Sequence, residues 1–268
     1  MVKKELFVSN LCWKKKNLNF VIDNLKKEKI TGIDFAPINY FKSWKNIKNN
    51  SRKLQILFKK KKIKVNSIQG IFFKKNLNLF NIKQKKRITD HFKLIVKLCK
   101  IFEAKKIILG SSMFRNPKNL NVKNADNYFI IYFKYLNKFL KKSGVYLCIE
   151  TIPKKYKENY IFSLSHLRYL VSKINAANIK INFDTSIYHF KRFEKQQFFE
   201  NLKNIKNIQI SQPNFDYFDN PTKKNLKFLK ALKNQKKIKK ISLEIIDNNF
   251  NKLKFIKSIK KLKYLVNR

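Results

Sequence analysis

Four residues near the ends of apolar runs could carry chemistry in this sequence. Glu150 closes VYLCIE (145–150), Asp184 stands in IKINFDTS (179–186), Gln209 in NIQISQP (207–213) and Glu244 in ISLEI (241–245). The chain has 16 acidic residues against 63 Lys and Arg, so carboxylates at matching places in three β-branched runs form a pattern. Carboxylates gathered in one cavity repel one another unless a cation or a proton is shared among them. A divalent metal is the simple solution, with Gln209 as a neutral fourth oxygen. Such a set suits Mn2+ or Mg2+ better than Zn2+. Three separate salt bridges to the abundant lysines are the alternative.

The elements that must position these residues repeat along the chain. Further short runs lie near LFVSN (6–10), GIDFAP (32–37), VNSIQGIFF (65–73) and KIILGSS (106–112), making eight in all. Between them lie longer Lys- and Phe-rich stretches with helical spacing. One carries Ile88, Phe92, Ile95, Cys99 and Phe102; another carries Phe250, Leu253, Ile256 and Leu262. Eight strand–helix units in a chain of 268 residues predict a (β/α)8 TIM barrel forming one domain over 1–268. A doubly wound open sheet is the alternative. Strand side chains alternate between faces. The branched residues belong against the helices, so Asp34, Glu150, Asn182, Asp184, Asn207, Gln209, Ser211, Ser242 and Glu244 point into the barrel. That predicts a polar interior where barrels of this kind commonly pack Val, Ile and Leu, with the carboxylates at the C-terminal end that carries active sites.

Other residues are candidates for holding a substrate. Arg115, in SSMFRNP, is one of six arginines in a chain where lysine is the default, and its planar guanidinium suits a sugar or phosphate oxygen. A salt bridge within the loop fits it equally well. Asp34 and Gln69 face inward by parity and could touch hydroxyls. No Gly-rich phosphate cradle exists, since the chain has only four glycines spread over separate connections. The net charge of +47 raises the question of nucleic acid. The lysines are spread along the chain and accompany many Asn, Ile and Phe, which favours codon bias over a selected polyanion surface. Non-specific attraction of anions at low salt follows either way. Three cysteines far apart fit reduced thiols and a cytoplasmic protein. The N-terminal MVKKELFVSN is too briefly apolar for a signal peptide, and no run is long enough for a membrane span.

Taken in order, GIDFAP, VNSIQGIFF, AKKIILGSSMFRNP, GVYLCIETIPKKY, IKINFDTS, NIQISQP and ISLEI resemble the xylose isomerase-like TIM barrels, specifically their sugar phosphate isomerase/epimerase group. The resemblance spans nearly the whole chain and implies a divalent metal on strands five to eight. It implies that Glu150 and Glu244 exchange a proton next to the carbonyl of an open-chain sugar or sugar phosphate, through an enediolate, with Asp184 as ligand. Gln209 stands where metal-binding members have a histidine, which leaves open a barrel that has lost catalysis and acts as a binding protein. Related epimerases often place a histidine three residues after the aspartate; Ile187 holds that place here, and His189 two residues later is the candidate for the cavity mouth. Apurinic-site DNA endonucleases share the superfamily, but their zinc sites need more histidines than the three of this chain.

Overall fold

The computed structural model describes residues 4–190, 195–233 and 235–267. Eight parallel strands close into a barrel in sequence order: β1 (Glu5–Ser9), β2 (Gly32–Phe35), β3 (Lys64–Ile68), β4 (Lys106–Leu109), β5 (Tyr146–Glu150), β6 (Ile179–Asp184), β7 (Ile205–Ser211) and β8 (Lys240–Glu244). The chain is therefore a (β/α)8 TIM barrel, as the alternation of runs predicts, and the open sheet is excluded by the β1–β8 pairing, in which Val8 lies opposite Leu243. The third run stops short of expectation. β3 ends at Ile68, and Gly70 takes a left-handed φ of 60° in a turn closed by a hydrogen bond from the Phe73 N–H to its carbonyl. Gly32 is required by close approach, because a Cβ there would lie 1.9 Å from the Lys64 carbonyl oxygen.

Contacts divide the barrel into two compact halves. The first comprises Met1–Asn66, Asp184–Phe193 and Asn207–Arg268. Its interior is polar, as strand parity predicts: the Asn66 amide donates to Asp34 Oδ1 at 2.7 Å, Asn207 Oδ1 at 3.2 Å and Ser242 Oγ at 3.3 Å. Its C-terminal helix, Lys252–Asn267, differs from the expected stripe. Phe250 precedes the helix and Leu253 is exposed, while Phe255, Ile259, Leu262 and Val266 form the buried face. Apolar residues recur on two sides of this lysine-rich helix, so two helical frames compete in the sequence, and only packing selects one.

The second half comprises Ser67–Phe183 and Glu194–Lys206. Its helix Lys85–Phe102 buries all five residues of the predicted stripe. Phenylalanine supplies much of this core: Phe72 stacks on Phe114 with centroids 3.7 Å apart, and Phe92 meets both edge-on. Each such ring contributes roughly 1.5–3 kcal/mol relative to exposure. His91, on the same helix, is buried with its Nε2 2.6 Å from the Ile71 carbonyl. A carbonyl only accepts, so Nε2 carries a proton.

Arg115 takes the loop salt bridge that its sequence position allowed beside a substrate contact. It is fully buried and ion-paired to the equally buried Glu158. Its Nε and Nη2 donate to Glu158 Oε2 at 2.9 and 2.7 Å, and Nη1 donates to the Glu150 backbone carbonyl at 2.7 Å. Glu158 Oε1 accepts from the N–H groups of Tyr160 and Ile161. The guanidinium is thus committed to fixing the segment that leaves β5, and the salt bridge weighed from the sequence is the arrangement found.

Two predictions follow from these buried groups. Burial lowers the His91 pKa to about 4, from 6.5 when unperturbed. Its contribution to stability is whole above the unfolded value and is lost as pH falls through the folded one, amounting to about 3 kcal/mol in all. Urea unfolding at pH 7 and pH 4.5 should show a smaller acid-induced loss in His91→Gln than in the parent. Arg115→Met strands a buried carboxylate and should cost about 3–5 kcal/mol. Adding Glu158→Met to it should recover part of that loss in the same assay, giving a non-additive double-mutant cycle.

Candidate functional site

Glu150, Asp184 and Glu244 are the last residues of β5, β6 and β8. In a parallel barrel these positions share the C-terminal end, and inward parity aims their side chains at the interior. One carboxylate oxygen from each lies within 4.8 Å of the others, and all three residues are buried. The register of β7 against β8 sets Ser211 beside Glu244 and Gln209 beside Ser242.

Each carboxylate has its own donors. Asp184 Oδ2 accepts from the Ser211 hydroxyl at 2.7 Å, and Oδ1 from the Ser186 N–H at 2.6 Å. Burial pushes the Asp184 carboxyl above its ordinary value, against the opposing pull of these hydrogen bonds and of one with Glu244. Carboxylates gathered this closely lower their mutual repulsion by sharing a proton or a cation. Glu150 Oε2 accepts from the Asn182 amide at 3.0 Å. Its carboxylate also occupies the space left by Gly110 just beyond β4, where a Cβ would stand 2.6 Å from Oε2. Three convergent buried oxygens with further lone pairs are a donor set that fits a hard divalent cation.

The fourth expected ligand is oriented differently. Gln209 is fully buried, and its amide nitrogen donates to Glu244 Oε1 at 3.4 Å. A nitrogen donor cannot ligate a cation, so in this orientation Gln209 serves as a hydrogen-bond partner of Glu244. Turning the amide over would present its oxygen.

His189 is half-buried with Nε2 2.8 Å from the Ser211 carbonyl, a group that also accepts from Thr185 Oγ1 at 3.0 Å and Asn225 Nδ2 at 2.8 Å. Burial lowers its pKa, which keeps the ring neutral near pH 7. Its Nε2–H therefore props Ser211, the donor to Asp184. Asp34 lies in the interior network with Asn66, and Gln69 is buried just beyond β3. The supporting residues Asn182 and Ser211 were inward by parity, but parity does not say which carboxylate each one serves. Gly110 had no signal in the sequence, because its role is an absent Cβ facing another strand. Among the described residues, no helix is long and apolar enough to cross a membrane, and all three cysteines are free and buried.

Solved structures share this fold at low identity. A 3-keto-D-glucoside 4-epimerase from E. coli superposes with a TM-score of 0.77 at 13% identity, covering 99% of this chain and 100% of that one. A D-allulose 3-epimerase from Methylomonas sp., in complex with D-allulose, gives 0.77 at 11% identity, covering 100% and 98%. An IolI protein with a bound zinc atom gives 0.75 at 15% identity, covering 98% of each chain. No curated protein sequence matches the chain. The family described as xylose isomerase-like TIM barrel matches residues 22–264, nearly the whole length, and the chain belongs to that family.

Proposed function

We propose that this protein is a sugar isomerase or epimerase that moves a proton on the carbon next to a carbonyl. The observation that carries this reading is the convergence of the Glu150, Asp184 and Glu244 carboxylates at the C-terminal end of the barrel. It is supported by the sugar epimerases among the similar structures, one of them holding D-allulose. Glu150, Asp184 and Glu244 would hold a divalent cation such as Mn2+ or Mg2+, which when bound polarises a substrate carbonyl and the neighbouring hydroxyl. Glu150 and Glu244 leave different strands and act as the acid–base pair. One removes the α-proton and the other returns a proton to the enediolate, on the opposite face for epimerisation or on the adjacent carbon for isomerisation. Asp184, held by Ser211 and the Ser186 N–H, stays in place as the fixed member of the set. Asn182 orients the Glu150 carboxylate in the same manner.

A second reading rests on Gln209, whose nitrogen faces Glu244. If that orientation persists, the cluster holds protons in place of a metal and the barrel binds a ligand without turning it over. Elemental analysis of protein equilibrated with Mn2+ separates the two. About one equivalent retained, and lost in Asp184→Asn, supports the enzyme; none retained supports the binding protein.

Two substitutions test the catalytic assignment. In D2O, the parent incubated with a ketohexose panel should place deuterium on the carbon next to the carbonyl. Glu244→Gln should lower that exchange by roughly 100-fold or more while circular dichroism stays unchanged. Exchange at the parent rate in this variant would falsify the role given to Glu244. Gly110→Ala sets a methyl against Glu150 Oε2. It should also reduce exchange about 100-fold, since displacing a reacting group by roughly 1 Å costs that much, with little change in the urea midpoint.

A further inference from the structure

A second feature lies on the same face as the carboxylates and belongs wholly to the first half of the barrel. The segments after β1 and β2, together with helix Ile47–Lys60, enclose a cleft of about 1110 Å³. Five lysines line it: Lys14, Lys15 and Lys16 after β1, Lys42 after β2, and Lys53 on the helix. No carboxylate is among the lining residues. The remaining wall is largely apolar, with Tyr40 and Leu54 buried at its base and Phe41 and Leu57 half-exposed beside them. Tyr40 and Phe41 meet edge-to-face with centroids 4.9 Å apart, which fixes both rings. The Lys14 ammonium is tied to Asn39 Oδ1 at 2.5 Å, and Asn39 in turn donates to the Trp13 carbonyl at 3.0 Å, so the two segments are joined beneath the cleft.

We propose that this cleft binds a small molecule bearing a polyphosphate and a flat ring, the chemistry of a nucleoside di- or triphosphate. Charge and size both decide this. A monophosphate carries about two negative charges, whereas five ammonium groups match the charge of a di- or triphosphate better. The volume lies just above the usual range of small-molecule sites, roughly 300–1,000 Å³, and is far larger than a free sugar or a phosphate ion fills. The Phe41 side of the wall offers a flat apolar surface for a ring, and the lysines that share the wall would meet the phosphate oxygens. Such a ligand would bind on the catalytic face without needing the carboxylate cluster, so the site stands whether or not the sugar chemistry does.

Calorimetry on the full chain at about 150 mM salt provides the test, with ATP, tripolyphosphate, inorganic phosphate and a short oligothymidylate as probes. ATP should bind one to one, at least tenfold tighter than tripolyphosphate, with inorganic phosphate weaker still. Lys15→Gln/Lys16→Gln/Lys53→Gln should weaken ATP at least tenfold. A control removing the same three charges from helix Val122–Ser143, Lys134→Gln/Lys138→Gln/Lys141→Gln, should change it less than twofold. Phe41→Ala should weaken ATP and leave tripolyphosphate unchanged. Equal losses in the cleft and control variants would mean attraction by net charge alone and would overturn the proposal. So would tripolyphosphate binding as tightly as ATP, an oligothymidylate outcompeting it, or no saturable binding.

Discussion

Mutual repulsion of buried carboxylates is the constraint that the site depends on. Glu150, Asp184 and Glu244 place three acids within 4.8 Å of one another in a poorly hydrated interior. At that distance and away from bulk water, each pair of negative charges costs several kcal/mol. A fold tolerates this only where a proton or a cation compensates, or where fixed donors do. The barrel supplies donors from all sides: Ser211 and the Ser186 N–H on Asp184, Asn182 on Glu150, and Gln209 on Glu244. These groups lower the cost without removing it, and burial still holds the Asp184 carboxyl above its ordinary value.

Holding the cluster open requires rigid support on the outer side of β5. Arg115 reaches the Glu150 carbonyl with one nitrogen and Glu158 with two others. A buried ion pair of this kind adds little net stability, because desolvating both charges offsets most of their attraction. What it adds is geometry: three guanidinium nitrogens on one plane fix the strand end and the returning loop together. The polar barrel interior acts in the same way. The Asn66 amide bridges residues from β2, β7 and β8, so the strand that carries Glu244 is tied below the site by hydrogen bonds where other barrels use branched side chains.

Much of this was legible in the sequence because strands obey a strict two-residue period. Glu150, Asp184 and Glu244 could be aimed inward from alternation alone, and eight runs in regular order left few topologies that would close. Arg115 and His189 have partners that were not legible in the sequence, for a common reason. Both are polar residues beyond strand ends, where no period applies, and in each case the partner that claims the side chain is distant in sequence: Glu158 for Arg115, the Ser211 carbonyl for His189. The frame of the last helix was missed because lysine-rich repeats leave apolar residues on two faces. Gly110 shows the deeper limit, since its contribution is space and becomes visible only when another strand's carboxylate fills it.

The lysine-rich composition sharpens the significance of the acids that remain. With 63 Lys and Arg, a surface carboxylate always has cations nearby, yet exposed pairs such as Lys86–Asp90 contribute little. Among the described residues seven acids are buried, and they include all three of the cluster as well as Glu158 and Asp34. Burial is the costly place for an acid, and a mutational drift toward lysine would remove dispensable ones first. Acids that stay inside such a chain are therefore those whose replacement breaks a strand end, a loop clamp or the reaction. By the same reasoning the lysines carry little information one by one. Their meaning begins only where several share a wall with rings and no carboxylate, as they do beside Tyr40 and Phe41.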